Sequence, residues 1–541
     1  MSTEPREAGP CWWAWACWCL VGGLVATLWV AVPRGWLVTD RFTFPKALLF
    51  HAAALTTVGC WLMGARRWRF DRVSLLAGGF VGLGVVSTLA AHNPWLAFGA
   101  VGVSLSGAGL FLSARALAAA GYRDVMLQGV VVAVGLLAVS MVLEAQGPLA
   151  GFSTMNRAPG GLLGHRNRAA HLLVLALPVV WLCVLHARSR ARLGLLLVMG
   201  TMVSWALTLS RSRAAWLAVF VVVGMGVWGW WRGRRDASVT SGRSVLLLGA
   251  LLVGVGVALG LPNVLEWRSS YGDTLRRIAE HDAGSGRGRL IQYANTLHMV
   301  GEAPVLGVGP GNWTVHYPRH ATPDDPSYTV DALLPVEALP QADWVGLLAE
   351  RGGLALLMLF AIAGGLWREA WRRARQDSDS RARQEALALM SVLAALTLLG
   401  GLDTVLLTPT ATFLVAVSVG ALTRMRGEAW VVTPGQGARV VARVCAVLVM
   451  GGLLAYVAVT GWGRQLAFAR PQSETLLSRA ARLDPGGYEA RVFLGQWLTR
   501  VGRCEEALTH FREAGELLPH AEPPQRGASR CQRLLQAAET R

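Results

Sequence analysis

The sequence predicts an all-α, polytopic helical membrane protein with about 12–13 transmembrane helices, a long polar loop and a small C-terminal helical-repeat region. Three observations predict it. Apolar runs of about 18 or more residues recur along the chain, and a helix of that length crosses a bilayer. Hydrophobic residues make up 53% of the chain and charged residues 16%, against ~25% charged in an average soluble domain. The net charge of +18 is carried by arginine clusters between the runs, with Lys46 the sole lysine. That distribution reads as membrane topology rather than as a nucleic-acid surface.

In chain order, residues 1–11 form a short cytoplasmic tail. Its two glutamates stand beside one arginine, and no clear small-residue cleavage site follows the first apolar run. That run is therefore expected to be a first span rather than a signal peptide. Region 12–261 carries nine spans, at about 12–32, 46–63, 74–91, 96–119, 125–144, 169–186, 193–209, 214–231 and 244–261. Residues 262–340 are the only long hydrophilic gap. Region 341–462 carries four more, at about 342–367, 385–407, 410–423 and 441–462. Only Thr408 and Pro409 divide 385–423. Read as one span, it gives twelve and moves the C-terminus to the other side. With the N-terminus inside, Arg66, Arg67, Arg69, Arg72 and the arginines of 368–383 fall inside, as the positive-inside rule expects. The gap at 262–340 and the C-terminal tail then face outward.

Residues 470–541 change character. A 34-residue unit at 486–519 places Leu494, Gly495, Gly502, Ala507, Phe511 and Pro519 where a tetratricopeptide repeat packs small or apolar residues. The preceding LLSRAARLDP reads as the second helix of an incomplete repeat. About three repeats are needed to bury a continuous face, so this tail should lean on the membrane body or on a protein partner. The eight cysteines contain no CxxC pair. Cys504 and Cys531 share the tail, where a disulfide is open to them if the tail is extracytoplasmic.

Three outward polar stretches carry candidate chemistry. In PGGLLGHRNRAAHLLVLALP, Arg166 and Asn167 cluster at a helix start. This suits an anionic group such as a diphosphate, or serves only as a capped interfacial helix. In LTLSRSRAAW, Arg211 and Arg213 fall on the outer side against the charge rule. Such arginines face a polar cavity or snorkel at a helix end. In the third, Arg287 and Arg289 open an amphipathic helix through Arg289, Leu290, Tyr293, Ala294 and Leu297. The following GVGPGNW turn lacks the lysine of a phosphate loop. His316 and His320 stand at i, i+4, but Pro318 between them argues against a helix, so no metal site is expected.

Four stretches in order carry a resemblance: GLLGHRNRAAHLLVLALP, TLSRSRAAWLAV, SGRGRLIQYANTL…APVLGVGPGNW…YP and DWVGLLAERGGLALLML. Together, over roughly 40–425, the chain resembles the O-antigen ligase and polymerase superfamily of lipid-linked glycan transferases, some of which carry tetratricopeptide extensions. The resemblance implies transfer of a glycan from undecaprenyl diphosphate, on the periplasmic face of the bacterial inner membrane, to lipid A core, a growing glycan or a protein. It implies no metal and no cofactor. By motif position it makes Arg211 and Arg289 diphosphate binders; Arg166, Asn167, Arg213 and Arg287 join them as candidate substrate-binding residues from their places in the outward polar stretches. One departure stands out: Gln341 and Ala342 occupy the place of the family's His-Asn pair, nine residues before Glu350. Glutamine cannot accept a proton as histidine does. Asp343, Glu337, His316 and His320 are left as candidate bases, Asp343 being equally placed to cap a helix; otherwise no strong base is required, or the site is inactive.

Overall fold

The computed structural model describes residues 10–33, 35–154, 156–232, 238–265, 267, 270–276, 285–336, 338–424 and 430–540. Residues 1–9 of the expected tail and the candidate base Glu337 lie outside the described residues. The protein is an all-α polytopic membrane protein. Among the described residues eleven helices are long and apolar enough to cross a membrane, and two shorter apolar helices accompany them.

The bundle opens with α1 (Pro10–Trp29), α2 (Thr43–Gly64), α3 (Arg72–Ser87), α4 (Pro94–Ala119) and α5 (Arg123–Gln146). It continues with α6 (Arg166–Leu185), α7 (Arg190–Ser210), α8 (Arg213–Arg232) and α9 (Ser238–Gly260). The polar gap contributes the short helices α10 (Tyr271–Arg276), α11 (Ser285–Glu302) and α12 (Trp313–His316). The chain re-enters the bundle through α13 (Asp343–Gln376), α14 (Ser380–Leu402), α15 (Pro409–Leu422) and α16 (Gln436–Phe468). The tail forms α17 (Glu474–Leu483), α18 (Tyr488–Arg500), α19 (Cys504–Leu517) and α20 (Glu522–Glu539). A two-stranded ribbon, β1 (Trp68–Phe70) with β2 (Trp430–Val432), ties the α2–α3 turn to the α15–α16 connection.

Helix α6 is the axis of the bundle, with 89% of its apolar window buried, against 6% for the outlying α16. Lipid tails are as apolar as leucine, so these helices associate through close packing of small residues. A Cβ on Gly23 would lie 2.4 Å from Ala53 Cβ, and one on Gly420 would lie 2.6 Å from Ala114 Cβ. The ambiguous run 385–423 is two antiparallel helices: Arg424 beyond α15 returns to within 3.0 Å of Glu385 near the start of α14. The turn between them, 403–408, is held from below. Asp343, itself fully buried, accepts the Val405 N–H on both carboxylate oxygens, the Leu407 N–H on Oδ1 at 3.4 Å and the Leu406 N–H on Oδ2 at 2.8 Å.

The glycine turn GVGPGNW clamps onto α13. Val308 and Gly309 donate their N–H groups to the carbonyls of Ala349 and Glu350 at 2.9 and 3.0 Å, and Gly353 donates to Pro304 at 2.8 Å. Helix α13 kinks there at Gly352, φ 75°. A Cβ on Gly352 would lie 2.0 Å from the Val305 carbonyl oxygen. Gly352→Ala therefore combines a left-handed backbone with a steric clash, a cost of roughly 1–3 kcal/mol or more. Its unfolding midpoint in detergent should drop by several degrees, and an unchanged midpoint would refute the clamp.

The tail is a string of antiparallel helices that docks on the polar loop. Tyr488, Val492, Ala514, Leu518 and Ala521 form one apolar cluster with Val315. Arg526 pairs with Asp331, and Asn93 Nδ2 donates to the Gly486 carbonyl at 3.2 Å. Loop and tail thus lie on the same side of the bundle. Cys504 and Cys531 are free thiols in the tail's own core.

Candidate active site

The site is built around the start of α6. Glu144, buried at the end of α5, accepts the Ser153 N–H at 2.6 Å and the Gly161 N–H at 2.7 Å. This pins the chain ahead of α6. At Gly161, φ 51°, a Cβ would meet Ser140 Oγ at 2.4 Å, which requires glycine. Helix α6 then begins at Arg166 and points two sets of side chains in different directions.

Arg166 reaches toward the loop ahead of α10, with its guanidinium 4.7 Å from the Trp267 ring centroid. Arg211 lies 4.9 Å from the same ring and 4.7 Å from that of Tyr271. Its Nε donates to Thr274 Oγ1 at 3.0 Å and its Nη2 to the Ser270 carbonyl. Arg211 is the only described non-glycine residue with positive φ, 51°. A left-handed arginine costs of order 1–3 kcal/mol, and such strain gathers at functional sites. Here it aims a buried guanidinium beside a second one.

The other set meets α11 and the 403–408 turn. Asp403, one residue past α14, has Oδ2 3.7 Å from Arg289 Nη2 and 3.8 Å from His171 Nε2. Arg168 and His171 line a small cavity with Thr404, Val405, Thr408 and Thr410. Burial, reinforced by Arg168, depresses His165 to about 4, so it is neutral at physiological pH. Tyr293, one turn beyond Arg289, donates to the Gly401 carbonyl at 2.9 Å and to the Gln341 carbonyl at 3.3 Å. Burial pushes its phenol up to about 12 and keeps it a donor. Gln292 Oε1 accepts the Gln341 N–H at 2.7 Å. Residues 289, 292 and 293 share one helix face, and that face docks α11 onto the start of α13.

Several sequence expectations need correction. Asp343 is spent on the amides of 405–407, so it positions the Asp403 turn rather than presenting a base; it caps that turn and not its own helix. His320 Nε2 lies 3.7 Å from Glu302 Oε2 at the far end of α11. Glu302 is thirteen residues from Arg289, about 20 Å along the helix. His316 packs edge-on against His92 at 6.1 Å. The loop thus folds both histidines against the tail side, away from Arg289. Arg287 pairs with Asp324 at 3.5 Å on the surface, because residues two apart on a helix do not face each other. Helix α11 also buries a different face from the one its leucines suggested: Leu290 and Leu297 are about half exposed. Gln292, Asn295 and Thr296 are buried instead, held by bonds such as Trp313 Nε1 to Thr296 Oγ1 at 3.1 Å. Arg213 and Asn167 are half-buried beside Arg211 and Arg166 in sequence.

The histidine cluster carries its own pH dependence. His316, His320 and His520 are held below the usual histidine range, first by burial and then by one another, by His92, by His298 and by Arg319, with Glu302 opposing. A depressed histidine stabilises the fold above its unfolded pKa near ~6.5, and that contribution is lost as pH falls toward the folded value. Acidification from pH 7 to 5 should therefore loosen the tail from the loop. Faster proteolysis of 470–541 at pH 5 is the expected reading, and equal rates would count against it.

Sequence reasoning missed Asp403, His171, Trp267 and Tyr271. Asp403 had a signal, a lone carboxylate ending an apolar run. His171 did too, three residues after Arg168 on one helix face. Trp267 and Tyr271 had none, since only the folded loop brings them to Arg211.

Fold and site together define a polytopic membrane protein with a cluster of arginines at one end of its helix bundle. Residues 200–360, which include Arg211, Arg289 and the glycine clamp, match the family model described as O-antigen ligase. Over that stretch the chain is similar to the O-antigen ligases, which supports a glycan-transferring membrane enzyme in general. No curated protein matches the sequence significantly.

Proposed function

We propose that this protein transfers a glycan from undecaprenyl diphosphate to an acceptor glycan, lipid A core or protein on the periplasmic face of the inner membrane. The observation that carries this reading is that one helix start, 165–171, joins two arginine groups. Arg166 and Arg211 flank Trp267 on one side, and Arg168, His171, Asp403 and Arg289 gather on the other. Guanidinium forks suit phosphate oxygens.

In this reading Arg211, Arg289 and Arg166 bind the donor's diphosphate. The acceptor hydroxyl attacks the anomeric carbon, the bond from that carbon to the phosphate oxygen breaks, and the lipid diphosphate leaves. The arginines stabilise the charge that develops on the leaving group. Asp403 takes the hydroxyl proton, in place of the histidine that Gln341 replaces. The turn held by Asp343 and the Tyr293 bond to Gly401 keep Asp403 in position. The positive-inside pattern supports an outward-facing loop and tail. The tail is read as a tetratricopeptide-like unit.

A second reading, a scaffold that recruits an assembly partner through 470–541, draws on Gln341, which removes the family's histidine. A deletion strain separates the two. Accumulation of lipid-linked glycan with loss of surface glycan, restored by a chain lacking 470–541, is expected of the transferase. Unchanged pools of both would remove it.

A further inference from the structure

The end of the bundle opposite the candidate active site carries a second arginine group that the proposed chemistry does not use. Helix α14 connects the two: Asp403 follows its last turn and Glu385 lies near its start. Eighteen residues separate them, about 27 Å of helix, close to the ~30 Å hydrocarbon thickness of a bilayer. Around buried Glu385 converge Arg123 at 3.2 Å, Arg373 at 3.5 Å, Arg381 at 3.3 Å and Arg424 at 3.0 Å. They come from four helix ends, the starts of α5 and α14 and the ends of α13 and α15. Asp124 takes Arg381 and Arg188. Five guanidinium groups thus face two carboxylates.

The surroundings do not restore balance. Glu369 faces Arg373, but Arg368 and Arg372 flank it on α13. Asp377 and Asp379 in the next turn are equalled in number by Arg375 and Arg383 nearby in sequence. The Nε atoms of Arg373 and Arg424 are buried with no hydrogen-bond partner among the described residues. Like charges packed this closely in a low-dielectric setting favour a bound anion. Beside them Trp228 and Trp371 stack at 5.3 Å, with the Arg375 guanidinium 4.4 Å from the Trp371 centroid. Tryptophan with arginine at helix ends is the composition of a membrane–water interface.

We infer that the Arg123–Arg373–Arg381–Arg424 group is a binding site for the phosphate of an anionic membrane lipid, in the leaflet opposite the candidate active site. Arg381 and Arg424 form its accessible rim, 38% and 22% exposed, and Arg373 forms its buried floor at 1%. A phosphodiester here neutralises part of the surplus and bonds helix ends that frame the active site at their other termini.

The test uses the purified full-length chain in nanodiscs. Moving from pure phosphatidylcholine to ~30% phosphatidylglycerol should raise the unfolding midpoint by roughly 2–4 °C. Native mass spectrometry should show retained phosphatidylglycerol. Arg381→Gln/Arg424→Gln should abolish both, while Arg66→Gln/Arg72→Gln, exposed arginines of the α2–α3 turn, should keep both. The comparison is made within each variant, so a lower starting stability does not obscure it. Equal midpoints in the two lipids, or an equal shift in both double variants, would overturn the proposal. Inorganic phosphate reproducing the shift in phosphatidylcholine discs would assign the site to free phosphate and overturn the lipid.

Discussion

Arg211→Ala and Arg289→Ala should each lower glycan transfer by roughly 10²–10³-fold, the usual cost of removing one preorganised donor to a developing negative charge. In a deletion strain neither should restore surface glycan at normal expression, and the lipid-linked pool should stay high. The two positions should differ in their conservative replacements. Arg289 lies on a regular helix, 21% exposed, facing Asp403 at 3.7 Å. Arg289→Lys keeps a point charge but loses the fork and should retain partial activity. Arg211 sits in a left-handed turn between Trp267 and Tyr271. Lysine there should lose more, because the ring contacts and the Thr274 bond depend on the planar group. Full rescue by either alanine variant, at wild-type membrane abundance, would remove that arginine from the site.

Asp403→Asn should reduce kcat by roughly 10²–10⁴-fold, the range for losing a general base, with little change in donor KM. The alternative role, a counter-ion that merely holds Arg289, predicts the reverse split. Freed of its carboxylate, Arg289 would then bind the donor's phosphate more tightly, so KM would fall and kcat would hold. Asp343→Asn should disturb both parameters through the turn it holds, since it reaches no substrate. Unchanged kcat in Asp403→Asn would leave the reaction without a carboxylate base.

The helical bundle was legible because membrane insertion is a one-dimensional constraint. Each span must be apolar over about the same length whatever its neighbours. The order of motifs pointed to Arg166, Arg211 and Arg289 as candidates; that Arg166 and Arg211 meet at Trp267 while Arg289 faces Asp403 came only from the fold. The break at Thr408–Pro409 divided 385–423 into two spans in the sequence, with one continuous span as the alternative, and the Arg424–Glu385 pair shows the two antiparallel helices. Which arginines meet was not legible. Arg287 and Arg289 look alike in sequence, yet the rotation of α11 sends one to Asp324 on the surface and the other to Asp403. His316 and His320 read as candidate bases because they lie in the polar loop; the path of that loop over the tail takes them elsewhere.

The sequence by itself determined that the chain is a helical membrane protein and which stretches are polar, because hydrophobic length and charge are local properties. Only the tertiary structure decided that Asp403 and His171 join Arg289, that Asp343 supports a turn, and that GVGPGNW clamps a kinked helix. Those pairings depend on where 23-residue α14 ends and on how α11 rotates against α13. Both are set by long-range packing that no local pattern records.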